Sequence, residues 1–296
     1  MRTELHTDIV IIGAGPAGST LARRLAQLGH RVCVIERAAF PRPHIGESLP
    51  PGILPVLDAL GLRDEMENAG FLRPQRAIIH WAGEQREKAQ PGAAGFQVDR
   101  ARFDQRLLDG ARAAGAHILQ PAEAARPQRL SDGRWAVQVR HPQGDLQIYA
   151  DWLADASGKG GMLGHRTQRQ SPPTLALFRY WRDVPLPGPE TRVEAASNAW
   201  YWGAPLPGGQ FNACIFINPK DSALRSARDL AHAYTTLLNA SPLLHTCLQG
   251  TPTTPVQACN AAAYVCEDAV DEQAIAVGEA AFAIDPLSSQ GVQAAM

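Results

Sequence analysis

Three glycines and one acid set out the first chemistry in this chain. Gly13, Gly15 and Gly18 stand in G-x-G-x-x-G spacing directly after the β-branched run Ile9 to Ile12, and Glu36 follows 18 residues beyond Gly18. Each glycine answers a separate demand: a tight turn at Gly13, close backbone approach to a pyrophosphate at Gly15, and close packing of a helix on a strand at Gly18. Between them, Ala14, Pro16 and Ala17 bring the first helical turn up to the ligand, and Pro16 fits there because its missing N–H has no intrahelical acceptor. Free N–H groups and the positive end of the helix dipole favour a dianion at that place. Glu36 and the adjacent Arg37 end the second strand, where a carboxylate accepts from ribose hydroxyls and argues against a 2′-phosphate. The pattern predicts a dinucleotide site.

The elements that must carry this site follow from the hydrophobic pattern. Strand, Ala17–Leu28 helix and Arg31–Ile35 strand come first. Ser48–Leu60 reads as a helix opened by Pro50-Pro51 and kinked at Pro55, while Ala77–Trp81 and Gln97-Val98 read as short strands. Arg100–Ala114 is an amphipathic helix with Phe103, Leu107, Leu108 and Ala111 on one face, leading to a strand at His117–Leu119. Trp135–Val139 and Leu146–Tyr149 read as a hairpin, and Trp152–Asp155 as a return to the parallel sheet. Residues 174–217 are strand-rich, predict a separate antiparallel sheet, and lead to a helix at Ala227–Leu238. Two lobes interleaved along the chain result: 1–72, 100–165 and 268–296 in the nucleotide lobe, 73–99 and 166–267 in the second.

Composition narrows the function classes. With a net charge of −1 nothing points to a polyanion, so no nucleic-acid partner is expected. The five cysteines, Cys33, Cys214, Cys247, Cys259 and Cys266, form no C-x-x-C pair and read as reduced thiols, with no metal site. The first strand begins after seven residues, which leaves no room for a signal peptide, and no apolar run approaches a membrane span; a cytoplasmic protein is expected. Only three lysines, Lys88, Lys159 and Lys220, are available for chemistry.

Five ordered segments then carry a resemblance over nearly the whole chain: the glycine fingerprint, Gly46-Glu47-Ser48-Leu49, Val98-Asp99-Arg100, Asp155-Ala156-Ser157-Gly158, and Gly278-Glu279-Ala280-Ala281 leading to Asp285-Pro286. Together they resemble the FAD-dependent monooxygenases, in the branch of flavin-dependent halogenases and geranylgeranyl-reductase-like proteins. The resemblance implies an α/β fold: a Rossmann-like FAD-binding domain of the glutathione-reductase type, with an inserted antiparallel substrate sheet. It implies FAD, reduced by NAD(P)H or by a separate flavin reductase, with O2 as co-substrate and a flavin C4a-hydroperoxide as oxidant. Arg100, Gly158, Gly278, Glu279, Asp285, Pro286, Ser289, Gly291 and Val292 then join the glycine turn around the cofactor. Glu279 departs from the family's aspartate, and a family member continues for another lobe beyond the point where this chain stops, so a C-terminal part is expected to be missing.

The resemblance also places His44, Glu47 and Ser48 where flavin and substrate meet, as candidate catalytic residues. Trp200-Tyr201-Trp202-Gly203-Ala204-Pro205 is similar to the W-x-W-x-I-P segment of flavin-dependent halogenases and makes Trp200, Trp202 and Pro205 candidate pocket residues. Those halogenases carry a lysine in an A-I-K stretch, where this chain has Ala77-Ile78-Ile79-His80-Trp81. On that absence we read hydroxylation of an indole- or phenol-like aromatic ahead of halogenation. The substrate is a small aromatic molecule or a tryptophan of a partner polypeptide, as in flavoproteins that mature tryptophylquinone cofactors. An isoprenoid reductase or a non-catalytic assembly factor is the reading from a different class.

Overall fold

The computed structural model describes residues 3–89, 94–164, 167–186, 188 and 190–296. The border drawn from sequence at 165/166 lies outside them. Ile9–Ile12 and Val32–Ile35 are apolar at successive positions, so both faces of these strands must be covered. Thr3–Ile12 accordingly lies inside a nine-stranded sheet, parallel to Val32–Ile35 on one side and to Leu146–Asp155 on the other. Ile9, Ile11 and Val34 pack on Leu108 and Ala111 of the Arg100–Ala113 helix, with Ala22 of the Pro16–Gln27 helix. Val10, Ile12, Cys33 and Ile35 on the opposite face meet Trp135, Val137 and Leu153. The carboxyl ends of the parallel strands, at Ile12, Ile35, Asp155 and Ala276, thus share one edge.

The second sheet has eight strands, with Leu175–Arg182, Gln210–Ile217, Ala199–Leu206, Thr191–Ala195, Arg76–Trp81 and Glu84–Ala89 adjacent in that order. Period-two alternation sends Leu177, Tyr201, Ala213 and Ile215 to the Leu230–Asn239 helix. It sends Phe178, Trp202, Cys214 and Phe216 to the other face, where Ile45 of the nucleotide side packs against them. One pair breaks the expected antiparallel order: Thr191–Ala195 runs parallel to Arg76–Trp81. The chain between these strands is far longer than a hairpin, which frees it to return in either sense. Among the described residues no helix is long and apolar enough to cross a membrane, and all five cysteines are free.

Several element boundaries differ from the sequence reading. Ser48–Leu49 is not helical; it pairs antiparallel with Phe96–Gln97, and the helix is Ile53–Leu60. Pro50 and Pro51 bar the residues before them from helical backbone, and Pro55 sits in the first turn, where its missing N–H causes no kink. Leu146–Tyr149 and Trp152–Asp155 are one ten-residue strand. The helix expected from Ala227 begins at Leu230, because the Asp229 carboxylate accepts from His232 N at 2.8 Å and caps it there. Asp285-Pro286 opens a single 3₁₀ turn, Pro286–Ser288, followed by the Gly291–Ala295 helix.

Phe103 links the two sides of the Arg100–Ala113 helix to its surroundings; it is fully buried among Leu57, Met66, Phe71 and Phe96. Phe103→Ala is expected to cost about 3–5 kcal/mol in urea unfolding with an unchanged m-value, whereas a loss near ~1 kcal/mol means that the cluster collapses around the void.

Candidate active site

The glycine turn separates what the fold requires from what a ligand requires. A Cβ on Gly13, where φ is +102°, falls 2.3 Å from the Ala156 carbonyl oxygen, and one on Gly18 falls 1.9 Å from that of Gly13. Both positions are closed by the chain's own backbone. A Cβ on Gly15 meets only the Arg42 guanidinium, at 3.5 Å, among the described residues. The space beside Gly15 is therefore left open, as a pyrophosphate needs. Gly278, at φ +59°, packs so close to the same helix that a Cβ there lies 2.7 Å from Ala17 Cβ. Glu36 is buried, and its two oxygens accept from Ala14 N and Ala38 N, each at 2.8 Å. These bonds fix the carboxylate and leave lone pairs for ribose hydroxyls. Arg37 points to solvent. These residues fit an adenine dinucleotide.

Arg100 resolves its unfavourable place at a helix start within the protein. Asp99 caps the helix, and Arg100 is buried with its fork on Asp104 one turn later, at 2.9 and 3.1 Å. Its remaining Nη1 donates to the carbonyls of Ile45 and Gly46, at 2.8 and 3.3 Å. Arg100 thus holds the loop that presents Glu47. Glu47 is 2% exposed and accepts from Gly46 N at 2.9 Å, from Asn212 Nδ2 at 3.1 Å, and from the Tyr180 hydroxyl. Burial pushes its pKa above the ordinary glutamate value, against the pull of these donors. Burial and the facing carboxylate push the Tyr180 phenol up as well. Ser48 accepts from Gln97 Nε2 at 3.3 Å, and His44 is turned onto the Ile45 carbonyl at 2.8 Å. The His44 pKa is lowered, by crowding around the ring first and by Arg100 second.

Tyr180 and Asn212 were not among the sequence candidates. Asn212 is a fully buried amide inside the apolar run Phe211–Ile217, and such a residue demands a partner, which is the signal that could have found it.

The C-terminal candidates are only partly assembled. Asp285 Oδ1 accepts from Leu287 N at 2.9 Å, so it caps its own turn. The Val292 side chain is half-buried and packs against the cluster around Leu57 and Phe103. Glu279 is half-exposed and lies 3.8 Å from Lys159, which also donates to the Asn260 carbonyl. Ser289 takes a left-handed φ of +54° between Pro286–Ser288 and the helix opened by Gly291. Gly158, φ +80°, follows Asp155, whose buried carboxylate accepts from Ser157, Met162 and Leu163 and clamps the loop.

Trp200, Trp202 and Pro205 do not share a pocket. Trp200 stacks on Phe216 at 3.7 Å and lines a cavity of about 310 Å³, whereas Trp202 is enclosed beside Phe178 and Cys214. Pro205, an odd number of residues away, belongs to the other face and lines a separate cavity of about 330 Å³ with Leu72 and Val184. Ile79 pairs with Val193, which pairs with Trp202, so Ile79 stands on the Trp202 face.

A family model described as an FAD binding domain matches residues 6–296. Tryptophan 2-halogenase of Chondromyces crocatus is 30% identical over 316 residues, which span 100% of this chain and 60% of that protein. The crystal structure of the flavin-dependent halogenase CmlS superposes with a TM-score of 0.87 at 27% identity, over 100% of this chain and 56% of that one. QhpG, a peptidyl tryptophan dihydroxylase essential for tryptophylquinone cofactor biogenesis, superposes with a TM-score of 0.78 at 26% identity, over 98% of this chain and 64% of that one. In each case the chain spans less than two thirds of the relative's length.

Gly15→Ala is expected to leave unfolding of the cofactor-free protein unchanged and to weaken FAD binding about tenfold or more, because a hydrogen bond to a charged group is worth ~1.5–3 kcal/mol. Gly18→Ala is expected to lower stability itself by about 1–3 kcal/mol through overpacking. Thermal unfolding and fluorescence titration with FAD read the two effects separately, and equal behaviour of the variants contradicts the division.

Because Glu47 is held above 4.5, its folded form binds a proton more tightly than the unfolded form. Its contribution is full below that value and is lost as pH rises through the folded pKa. The stability difference between wild type and Glu47→Gln is expected to move in favour of the variant across that rise, measured by urea unfolding at a series of pH values; a constant difference contradicts the raised pKa.

Proposed function

This chain belongs to the FAD-binding family, and on that premise we propose that it binds FAD along Gly13–Gly18 and Glu36 and halogenates an electron-rich aromatic substrate. The observation that carries the proposal is the placement of one loop: Ile45–Ser48 is anchored by Arg100 on the nucleotide side and joined through Glu47 to Tyr180 and Asn212 on the aromatic face of the second sheet. Bound FAD supplies electrons for the activation of dioxygen. The halogenase relatives support halide as the second substrate, and they favour this reading over the hydroxylation preferred on sequence grounds.

The residues divide the work by position. Gly15 admits the pyrophosphate, Glu36 receives the ribose, and Gly278 lets its own turn lie close against the same helix. The Tyr180 hydroxyl donates to Glu47 at the border of the two sheets, and Glu47 keeps Gly46 in place. Phe178, Trp202 and Phe216 exclude water from the facing surface. Ser48 and His44 stand on the same loop as further polar groups. Transient NAD(P)H or a separate flavin reductase supplies the electrons, since the chain carries one glycine fingerprint of this type.

Hydroxylation is the second reading, and Ile79 favours it. An isoleucine stands on the Trp202 face where the A-I-K stretch of halogenases has a lysine, and the likeness to QhpG supports a tryptophan-bearing polypeptide as substrate. Mass spectrometry after supplying reduced FAD, O2, chloride, bromide and indole, phenol or tryptophan peptides decides between them. A halogenated product is expected; gain of oxygen alone transfers the assignment to hydroxylation, and no product with FAD bound overturns both.

A further inference from the structure

The aromatic face of the eight-stranded sheet is a row with one ring missing. Residues paired across strands stand side by side, with neighbouring strands ~4.8 Å apart. Phe216 pairs with Trp200, and Trp200 with Ala195. Trp81 comes next, one residue beyond the Glu194–His80 pair. Across the face the row reads Phe216, Trp200, Ala195, Trp81. The first two rings stack at 3.7 Å and 5°. At the third place there is only a methyl group.

The backbones of Trp200 and Trp81 therefore lie two strand spacings, ~9.6 Å, apart, with room above Ala195 for one flat ring. All four residues line the same open cavity of about 310 Å³. Trp81 is 43% exposed, a large indole left facing that space. Asn198 and Asn218 line it as well. The Asn198 amide nitrogen donates to Asp221 and the Asn218 oxygen accepts from Lys220 N, so one acceptor and one donor are left without a partner among the described residues.

We propose that the gap over Ala195 is a subsite for a single planar aromatic ring bearing a polar group, inserted between Trp200 and Trp81. The proposal rests on the reading of this sheet face as the substrate side and adds Trp81 and Ala195 to it. A ring seated there completes the stack on both faces, and each aromatic pair adds attraction beyond its buried area. A saturated ring of the same size fills the space without that gain. Nothing in the gap distinguishes a free indole from the indole of a peptide, since both present the same ring.

The full chain loaded with oxidised FAD, which does not turn over, is titrated calorimetrically with indole, cyclohexanol and a tryptophan-bearing peptide. Indole or the peptide is expected to bind in preference to cyclohexanol, and whichever binds more tightly identifies the source of the ring. Ala195→Leu fills the gap and Trp81→Leu removes one wall; each is expected to weaken binding about tenfold, the equivalent of ~1.4 kcal/mol. Unchanged binding in both variants overturns the proposal. If Ala195→Leu fails to fold, the exposed Trp81→Leu carries the test alone. The two readings fail differently: ring binding with this dependence but no halogenated or hydroxylated product overturns the enzyme reading, whereas wild-type kcat/KM in both variants overturns the subsite.

Discussion

A carboxylate buried between two sheets sets the geometry of this molecule. Removing Glu47 from water costs several kcal/mol unless donors replace the lost hydration. Those donors come from both sides: Gly46 N from its own loop, and Tyr180 and Asn212 from the second sheet. The two sheets are therefore held in the one arrangement that satisfies all three bonds. Arg100 extends the same constraint, because its buried fork on Asp104 leaves one nitrogen for the carbonyls of Ile45 and Gly46.

This arrangement explains why polar and apolar groups alternate so sharply at the boundary. Behind Glu47 lies the aromatic face of Phe178, Trp202 and Phe216, where an uncompensated charge has no place. A lysine at Ile79 is the instructive case. Its cross-strand neighbours on that face are Val193 on one side and the exposed Arg86 on the other, so a lysine there stands beside a like charge. The kinship with halogenases and this isoleucine pull in opposite directions, and the product, not the fold, decides between them.

The nucleotide side could be read from local pattern because each demand there is local. Gly13, Gly15, Gly18 and Glu36 lie within one strand-helix-strand unit, and Phe103, Leu107, Leu108 and Ala111 lie on one helix at fixed angular spacing. Errors came where a neighbour outside the segment competed. Ser48–Leu49 left its expected helix for a distant strand partner at Gln97 and Phe96.

The sequence by itself determined the parallel nucleotide sheet, its glycine turn and the face shared by Trp200 and Trp202, because covalent spacing and the two helical and strand periods are properties of the chain alone. Tertiary structure decided that Tyr180 and Asn212 meet Glu47, that Pro205 leaves the tryptophans for the opposite face's cavity, and that Trp81 stands two strands from Trp200. Those contacts join residues from far apart in the chain, and strand order and register, which bring them together, are set by the burial of both sheet faces at once.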